Sequence, residues 1–371
     1  MSNQYLDLVP TDLLHVVSQI MDLTSSSSSS DEEVINLRRL PLPRVFRERK
    51  NPFTTYTEEE FQYRYRIRKQ TVMDILNVIG HNFESSTRRN HALSAMNKLL
   101  ITLRFYATGT LQIMVGDDVC VHKTTICRII KTVTHHIALM TLNYINMPST
   151  EEGIMRIKEQ FFKIRKFPGV FGCIDGTHIP IQSPGGNNEE LYRNRKGYFS
   201  INVQVVCSAD LRFLDIVARW PGSVHDSTVF NASHLRARLE AGEFPQGYLL
   251  GDSAYACKKY LLTPLQSPST EGEMKYNAAH IQTRNTVERS FGVWKRRFPA
   301  MSLGMRTTLN TTLAVIVATA VLHNIAIETK DNFVEVDLPV QDVVGADIVP
   351  HNFADNEGNA LRASIINTHF S

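Results

Sequence analysis

The sequence predicts an α/β fold in which a mixed sheet follows a helical region that contains a helix-turn-helix-like unit. Before Pro168, apolar residues recur every three to four positions, which is typical of amphipathic helices. After Pro168, the apolar runs are β-branched or alternating and are separated by Gly, Pro, Asn or Asp, which is typical of strands. Helical spacing then returns between and after the strands. At 371 residues the chain is long enough for two domains.

Four segments are predicted along the chain. Residues 1–56 contain a serine run and a basic stretch, and we expect a flexible N-terminal segment. Residues 57–150 are predicted to form the helical domain and residues 151–328 the α/β domain. From Glu328 onwards eight acidic side chains outnumber two basic ones, which predicts an acidic C-terminal tail over residues 329–371.

The net charge of +3 is too small to indicate a partner, but its distribution is informative. Ten Arg and Lys residues stand against four Glu between Arg38 and Lys69. A basic beginning and an acidic end are compatible with a polyanionic ligand. The basic cluster at residues 38–50 is also compatible with nuclear import.

Five cysteines without a CxxC pair argue against a disulfide framework and a zinc ribbon, and favour a reducing compartment. The N-terminus does not resemble a signal peptide. The longest apolar run, Leu313 to Ile327, contains His323 and Asn324 and is short for a membrane span. We therefore expect a buried core helix, no membrane association and an intracellular protein.

In the helical region, amphipathic patterns cover Thr57 to Gly80 and Ala92 to Tyr106. A short helix at Leu111 to Val115, a turn at Gly116-Asp117-Asp118 and a second helix at His122 to Val133 then resemble a helix-turn-helix. A plain helical hairpin with solvated basic residues explains the pattern equally well. The second helix, capped near Lys123 and Thr124, would expose His122, Lys123, Thr125, Arg128 and Lys131.

The α/β region is predicted from its strands and helices in order. The strands are expected at Val170 to Gln182, Phe199 to Cys207, Phe213 to Arg219, and Leu249 to Leu250. The helices are expected at Asp226 to Leu239, Val287 to Phe298, and Leu313 to Ile327.

Two aspartates in this region end apolar strands. Asp175 interrupts the first strand and Asp252 follows the fourth, and an ionised carboxylate in either place is costly unless it is paired or coordinated. One such Asp is usually a turn cap. Two of them in one α/β domain favour a shared site, because neighbouring strand ends converge. Glu288 lies beside the packed stripe of its helix, where the alternative is an exposed first-turn Glu.

Converging carboxylates repel each other by about 4 kcal/mol for two unit charges about 4 Å apart at an effective dielectric near 20. Such a group requires a cation, and carboxylate oxygens select Mg²⁺ or Mn²⁺ over thiolate-binding metals. Two such ions activate a water and stabilise the leaving oxygen in phosphodiester hydrolysis. Asp175, Asp252 and Glu288 therefore predict a metal-dependent nuclease.

Four motifs in this order resemble the PIF/Harbinger superfamily of DDE transposases, including its transposase-derived nucleases in animals. The resemblance covers roughly Thr57 to Ile327 and the last few residues. The motifs are Gly172-Cys-Ile-Asp-Gly-Thr-His-Ile179, Trp220-Pro-Gly-Ser-Val-His-Asp-Ser227, Leu250-Gly-Asp-Ser-Ala-Tyr255 and Asn285-Thr-Val-Glu-Arg-Ser-Phe-Gly292.

The resemblance implies an RNase H-like catalytic core in residues 151–328. Its Asp-Asp-Glu triad falls on Asp175, Asp252 and Glu288, which are 77 and 36 positions apart. A fourth acid of the family, a further metal ligand, falls on Asp226. From the local sequence alone, Asp226 is equally well explained as the N-cap of the following helix.

Basic residues flank the predicted site. We expect them to neutralise DNA phosphates, although a charged loop and a solvated helix face are the alternative. His178 is predicted to be buried and hydrogen-bonded, and His225 to support Asp226. The predicted DNA-backbone residues are Arg193, Arg195 and Lys196 in a loop, and Arg289, Lys295, Arg296 and Arg297 on the helix that carries Glu288.

These observations predict a DNA endonuclease that uses Mg²⁺ or Mn²⁺ in a two-metal mechanism. One alternative is a domesticated transposase that acts as a catalytically silent DNA- or protein-binding module. Another is a structural scaffold, which requires the acids to lie apart. The resemblance also implies a Myb/SANT-like DNA-binding partner and a location in nucleus and cytoplasm.

Overall fold

The computed structural model describes residues 51–84, 92–244, 247–331 and 355–371. The predicted flexible segment therefore lies outside the described residues, apart from residues 51–56, as does the basic cluster at residues 38–50.

Helices form the part of the chain that precedes the sheet, as predicted. Thr57 begins the second of them with a capping box, in which its side chain and Glu60 exchange hydrogen bonds with each other's backbone. Arg66 then adopts φ +66° and divides the predicted Thr57-to-Gly80 stretch into two helices. The described helices are α1 (Pro52–Thr55), α2 (Glu58–Tyr65), α3 (Lys69–Ile79), α4 (Ala95–Thr108), α5 (Gln112–Val119), α6 (Lys123–Leu139), α7 (Thr141–Tyr144) and α8 (Glu151–Arg165).

The turn of the helix-turn-helix-like unit lies later than predicted. Helix α5 continues through Gly116, and the chain turns at Cys120, which has φ +54°. A Cβ on Gly116 would lie 2.5 Å from the Val121 carbonyl oxygen, so the glycine lets the turn fold back on its helix. The predicted turn glycine therefore has a packing role.

Helix α6 is capped by His122, whose Nδ1 accepts a hydrogen bond from the Thr124 backbone N–H, instead of by Lys123 or Thr124. Lys123, Arg128 and Lys131 are exposed on its outer face. Thr125 is half-buried because it lies next to the apolar stripe. The basic face exists as expected, and whether it contacts DNA stays a prediction.

A five-stranded mixed sheet confirms the predicted α/β class. The strands run in the order β3-β2-β1-β4-β5, with β1 in the centre. Strand β2 pairs antiparallel with β1 and β3, whereas β4 pairs parallel with β1 and with β5, the two-residue strand that was not predicted. The elements are β1 (Val170–Pro180), β2 (Ser200–Cys207), β3 (Phe213–Pro221), α9 (Asp226–Asn231), α10 (His234–Glu240), β4 (Tyr248–Leu250) and β5 (Leu261–Leu262).

Helix α11 (Glu271–Arg297) packs on β1, β2 and β4, and helix α12 (Leu309–Glu328) packs on β3 and α6. Helix α11 begins sixteen residues before the predicted start, at a capping box formed by Thr270 and Glu273. Its early start places more than four turns of helix ahead of Glu288.

Helix α12 is long and apolar enough to cross a membrane by composition, but 83% of its apolar window is buried inside the protein. Two of its polar residues bond the edge strand β3 and the turn before it. Asn324 bonds both the N–H and the carbonyl of Phe213, and His323 donates to the Leu211 carbonyl. The predicted buried core helix is confirmed.

The C-terminal segment, predicted as an acidic tail, packs on the protein at both of its described ends. Asp331 is 1% exposed and bonds Gln62 and the backbone of Arg68. Residues 356–370 form helix α13 (Asn356–Ile365) and a final turn, and Phe370 packs against Phe167 of the core. Apolar contacts at the chain end and a buried ion pair outweigh the acidic composition.

The core is also continuous from α2 to α13, so residue 150 marks no break in packing.

Candidate metal centre

Asp175 lies in the middle of the central strand β1, and its side chain is 15% exposed. It shares a face of the sheet with its cross-strand partner Val205. Its Oδ1 accepts a hydrogen bond from the Gly176 backbone N–H (2.9 Å). Its Oδ2 accepts one from Arg284 Nη1 of helix α11 (2.9 Å), so this face of β1 is covered by α11.

Asp252 follows β4, which runs parallel to β1 with Leu250 opposite Cys173. The parallel pairing places Asp175 beside the point where β4 ends, whereas β1 itself continues to Pro180. The prediction that Asp175 ends its strand is therefore wrong, because the antiparallel pairing with β2 extends β1 beyond it. Asp252 Oδ1 accepts from the Ala254 backbone N–H (3.0 Å) and so closes a turn. Asp252 therefore caps the turn and is at the same time available as a site residue.

Asp226 is the first residue of α9 and reaches the central strand from the other face of the sheet. Its carboxylate lies against the Cα of Gly176, where any Cβ would collide with it. Successive strand residues point to opposite faces, so Asp226 and Asp175 approach β1 from opposite sides. Asn202 Nδ2 fixes Asp226 by donating to its Oδ1 (2.7 Å).

Glu288 lies on α11 with its side chain 53% exposed, at the rim of the core as predicted. Arg284, one turn earlier, donates from Nη2 to Glu288 Oε1 (2.6 Å) and from Nη1 to Asp175. A single guanidinium, only 15% exposed, therefore bridges the first and third acids of the predicted triad.

Burial disfavours the charged form of three of these acids. Burial raises the pKa of Asp175 to about 8; Arg284 opposes this shift, while Asp252 and Asp226 add to it. Burial likewise raises the pKa of Asp226, against the Asn202 hydrogen bond, and that of Asp252, against the Ala254 hydrogen bond. The charge of Asp252 thus acts on both Asp175 and Asp226, and the charge of Asp226 acts on Asp175.

The raised pKa of Asp175 predicts how the metal-free protein responds to pH. An ordinary Asp in the unfolded chain has a pKa near 3.9, whereas folded Asp175 has one of about 8. The folded state therefore binds the proton more tightly, so this stabilisation is complete below about pH 4 and is lost as the pH rises through about 8. Chemical unfolding in EDTA should show wild type losing stability relative to Asp175→Asn over this window, by at most about 1.4 kcal/mol per pH unit. A pH-independent difference between the two proteins would contradict the buried state of Asp175.

The donor set has the chemistry of a divalent-cation site. Its oxygens are carboxylates, which Mg²⁺ and Mn²⁺ prefer, and a bound divalent cation would favour the charged forms that burial alone disfavours. Among the described residues, however, no three His, Cys, Asp or Glu side chains are gathered closely enough to enclose an ion. The guanidinium of Arg284 instead lies between Asp175 and Glu288.

A buried polar layer lies under the acids on the Asp226 side. Asn202 and Gln204 of β2 are 1% and 0% exposed and point to the same face. Tyr255 donates to Gln204 Oε1 (3.5 Å), while Gln204 Nε2 and Asn202 Oδ1 have no partner among the described residues. Such orphaned atoms are costly, which is typical of functional sites.

The basic loop between β1 and β2 reaches the site in part. Arg195 lies against the ring of His225, and its charge acts on the neighbouring Asp226. Lys196 is exposed, and its positive charge helps to lower the pKa of Lys295. Arg193 is instead held by Glu190 in a two-point ion pair (2.8 and 2.9 Å).

The four residues of α11 that were predicted to contact DNA have different environments. Arg289 is exposed and Arg296 is half-buried. Lys295 Nζ donates to Thr177 Oγ1 (2.7 Å) and to a β1 carbonyl, and burial lowers its pKa to about 8.

Arg297 requires a correction. It is 5% exposed, donates to the backbone carbonyls of Arg66 and Asp331, and pairs with the Asp331 carboxylate. We therefore remove it from the set of expected DNA contacts. Arg297 follows Trp294 by three positions, so it lies on the packed face of α11.

His178 is largely buried and hydrogen-bonded to Ser200 Oγ (3.0 Å), as expected. Burial and the nearby lysines Lys295 and Lys196 lower its pKa to about 4. His225 precedes Asp226, and its ring contacts Arg195 of the loop. Its expected support of Asp226 stays a prediction.

Sequence reasoning missed Arg284 and Asn202. Arg284 had a signal, because it precedes Glu288 by four positions and such residues are neighbours on a helix. Asn202 had a weaker one, as a polar residue within an apolar strand.

The region from residue 174 to residue 324 matches a family described as DDE superfamily endonuclease. This region includes all four acids. The chain belongs to this family. The predicted Harbinger kinship is confirmed by relatives named "Putative nuclease HARBI1".

The human relative is 30% identical over 322 residues, which are 85% of this chain and 91% of that protein. The mouse relative is 31% identical over 323 residues, with the same two shares. An Arabidopsis thaliana relative, "Protein ALP1-like", is 25% identical over 73% of this chain and 71% of its own length. No solved structure matches the chain.

Proposed function

We propose that this protein is a DNA endonuclease that depends on Mg²⁺ or Mn²⁺ and has an RNase H-like core. Asp175, Asp252 and Glu288 hold the metal, and Asp226 is a further ligand. One observation carries the proposal: aspartates from β1, from the start of α9 and from the turn after β4 lie near the point where β4 ends beside β1, and burial raises all three pKa values. The family membership supports the endonuclease activity.

The arrangement of the elements supports the RNase H-like core. The central strand carries the first triad acid, its parallel neighbour leads into the second, and the helix packed on both carries the third. Bound divalent cations supply a more acidic water and stabilise charge on the phosphate oxygens. The chain's residues position these ions: the Gly176 and Ala254 backbones orient two carboxylates, and Asn202 orients Asp226.

DNA is the proposed substrate. Arg195, Lys196 and Arg289 are exposed cations on the loop beside Asp226 and on the helix of Glu288, where phosphates would pass. Three further cations are proposed as secondary DNA contacts only, because each already bonds another group of the protein: Arg193, Arg296 and Lys295. By the family resemblance, we also propose a Myb/SANT-like DNA-binding partner and a nuclear and cytoplasmic location.

The proposal is tested with purified protein and supercoiled plasmid. We expect nicking with Mg²⁺ or Mn²⁺ and none in EDTA. Cleavage that persists in EDTA would reject the mechanism. Calorimetric titration with Mn²⁺ distinguishes the alternative of a catalytically silent module. Such a module would give no nicking and no heat that depends on the carboxylates.

A further inference from the structure

We propose that Arg284 is an internal counter-ion that competes with the divalent cation, so that the metal binds only when this guanidinium leaves Asp175 and Glu288. This inference rests on the proposed function, because it concerns the same carboxylates. It assigns a role to a residue outside the set of four proposed metal ligands.

The contacts of Arg284 define the competition. Its Nη1 is 2.9 Å from Asp175 Oδ2, and its Nη2 is 2.6 Å from Glu288 Oε1. The fork of one guanidinium thus joins an acid of the central strand to an acid of helix α11, and such charge-assisted bonds are the strong ones. The remaining Asp175 oxygen is already bonded to the Gly176 N–H.

The site keeps Arg284 charged and in place. Its side chain is 15% exposed, and the neighbouring carboxylates Asp175, Glu288 and Asp252 all favour its cationic form. A divalent cation that used the same Asp175 and Glu288 oxygens would lie next to a fixed positive charge. Repulsion at that distance, in a partly buried site, opposes binding of the ion while the guanidinium remains.

The same contact explains why the acids are not gathered around one point. Arg284 separates Asp175 from Glu288, and among the described residues no three ligating side chains surround a common position. Glu288 is more than half exposed and sits on the rim, so it is able to follow the metal once the guanidinium is released. Arg284 therefore stabilises the metal-free protein and weakens its affinity for metal.

Arg284→Met tests the competition, since methionine keeps an unbranched side chain without charge. We expect calorimetry with Mn²⁺ alone to show at least a tenfold lower Kd than for wild type. In EDTA the variant should unfold at a lower temperature, and saturating Mn²⁺ should restore more of its stability than it adds to wild type. An Mn²⁺ affinity equal to or below that of wild type would overturn the proposal.

Arg236→Met is the matched control. Arg236 also uses its guanidinium to bind a carboxylate four positions away on its helix, Glu240, but contacts none of the four acids. Its loss should leave the Mn²⁺ affinity unchanged. If Arg284→Met does not fold in EDTA, Arg284→Lys replaces it. A lysine ammonium binds the two carboxylates less firmly than the forked guanidinium does, so the Mn²⁺ affinity should rise a few-fold. No rise would overturn the proposal.

Asp252→Asn separates failure of this inference from failure of the proposed function. If the variant binds Mn²⁺ as wild type does, the metal centre itself is rejected. If it binds more weakly while Arg284→Met is not tighter than wild type, the metal centre stands and only the role of Arg284 is rejected.

Discussion

Replacing Asp252 by asparagine is expected to lower metal-dependent DNA nicking at least about 100-fold. Loss of a residue that merely orients a metal ligand costs about 10- to 100-fold in metal affinity or activity, and loss of the ligand itself should cost no less. Asparagine keeps the size of Asp252 and the oxygen that accepts from the Ala254 N–H, so the turn after β4 is preserved. The initial rate of plasmid nicking in Mg²⁺ measures the effect.

Stability gives this prediction a second readout. Burial raises the pKa of Asp252, so its ionised form destabilises the metal-free protein at neutral pH. Asp252→Asn should therefore be at least as stable as wild type in EDTA and gain less from Mn²⁺. Asp210→Asn is the control, because Asp210 is an exposed acid that pairs with Arg212. Wild-type nicking by Asp252→Asn, or the same loss in Asp210→Asn, would contradict the assignment.

Replacing Asp331 by alanine is expected to cost about 3–5 kcal/mol in the free energy of unfolding, the range for removing one partner of a buried ion pair. Asp331 and Arg297 have side chains 0% and 6% exposed, with Nη1 3.7 Å from Oδ1. Asp331 also accepts hydrogen bonds from Gln62, the Arg68 N–H and Thr71. Its loss would leave the Arg297 charge buried without its carboxylate and would loosen α2 and α3 from α11.

Denaturant titration followed by circular dichroism measures this effect. Glu243→Ala provides the comparison, since Glu243 forms a partly exposed ion pair with Arg238 and should cost less than about 1 kcal/mol. Equal costs for the two variants would show that Asp331 has no special role in joining the helices to the sheet domain.

The candidate site shows how far sequence patterns reach. The apolar strand patterns predicted that Asp175 and Asp252 converge. The parallel pairing of β1 with β4 places Asp175 beside the point where β4 ends, although β1 itself continues to Pro180. The same reasoning described Arg297 as a surface cation, although its spacing from Trp294 places it on the packed face of α11. It also began α11 at residue 287, which hid the turn of helix that holds Arg284.

By itself the sequence determined the α/β class, the core helix α12 and the positions of the four acids. Each depends on a local period of apolar residues or on a motif, and these are properties of consecutive positions. Tertiary structure alone decided which partners the charged side chains bond: Arg284 bonds an acid 109 positions away, and Asp331 bonds a glutamine 269 positions away. Such pairings depend on strand order and helix packing, and the free energy of a buried charge is set by the neighbours that these bring to it.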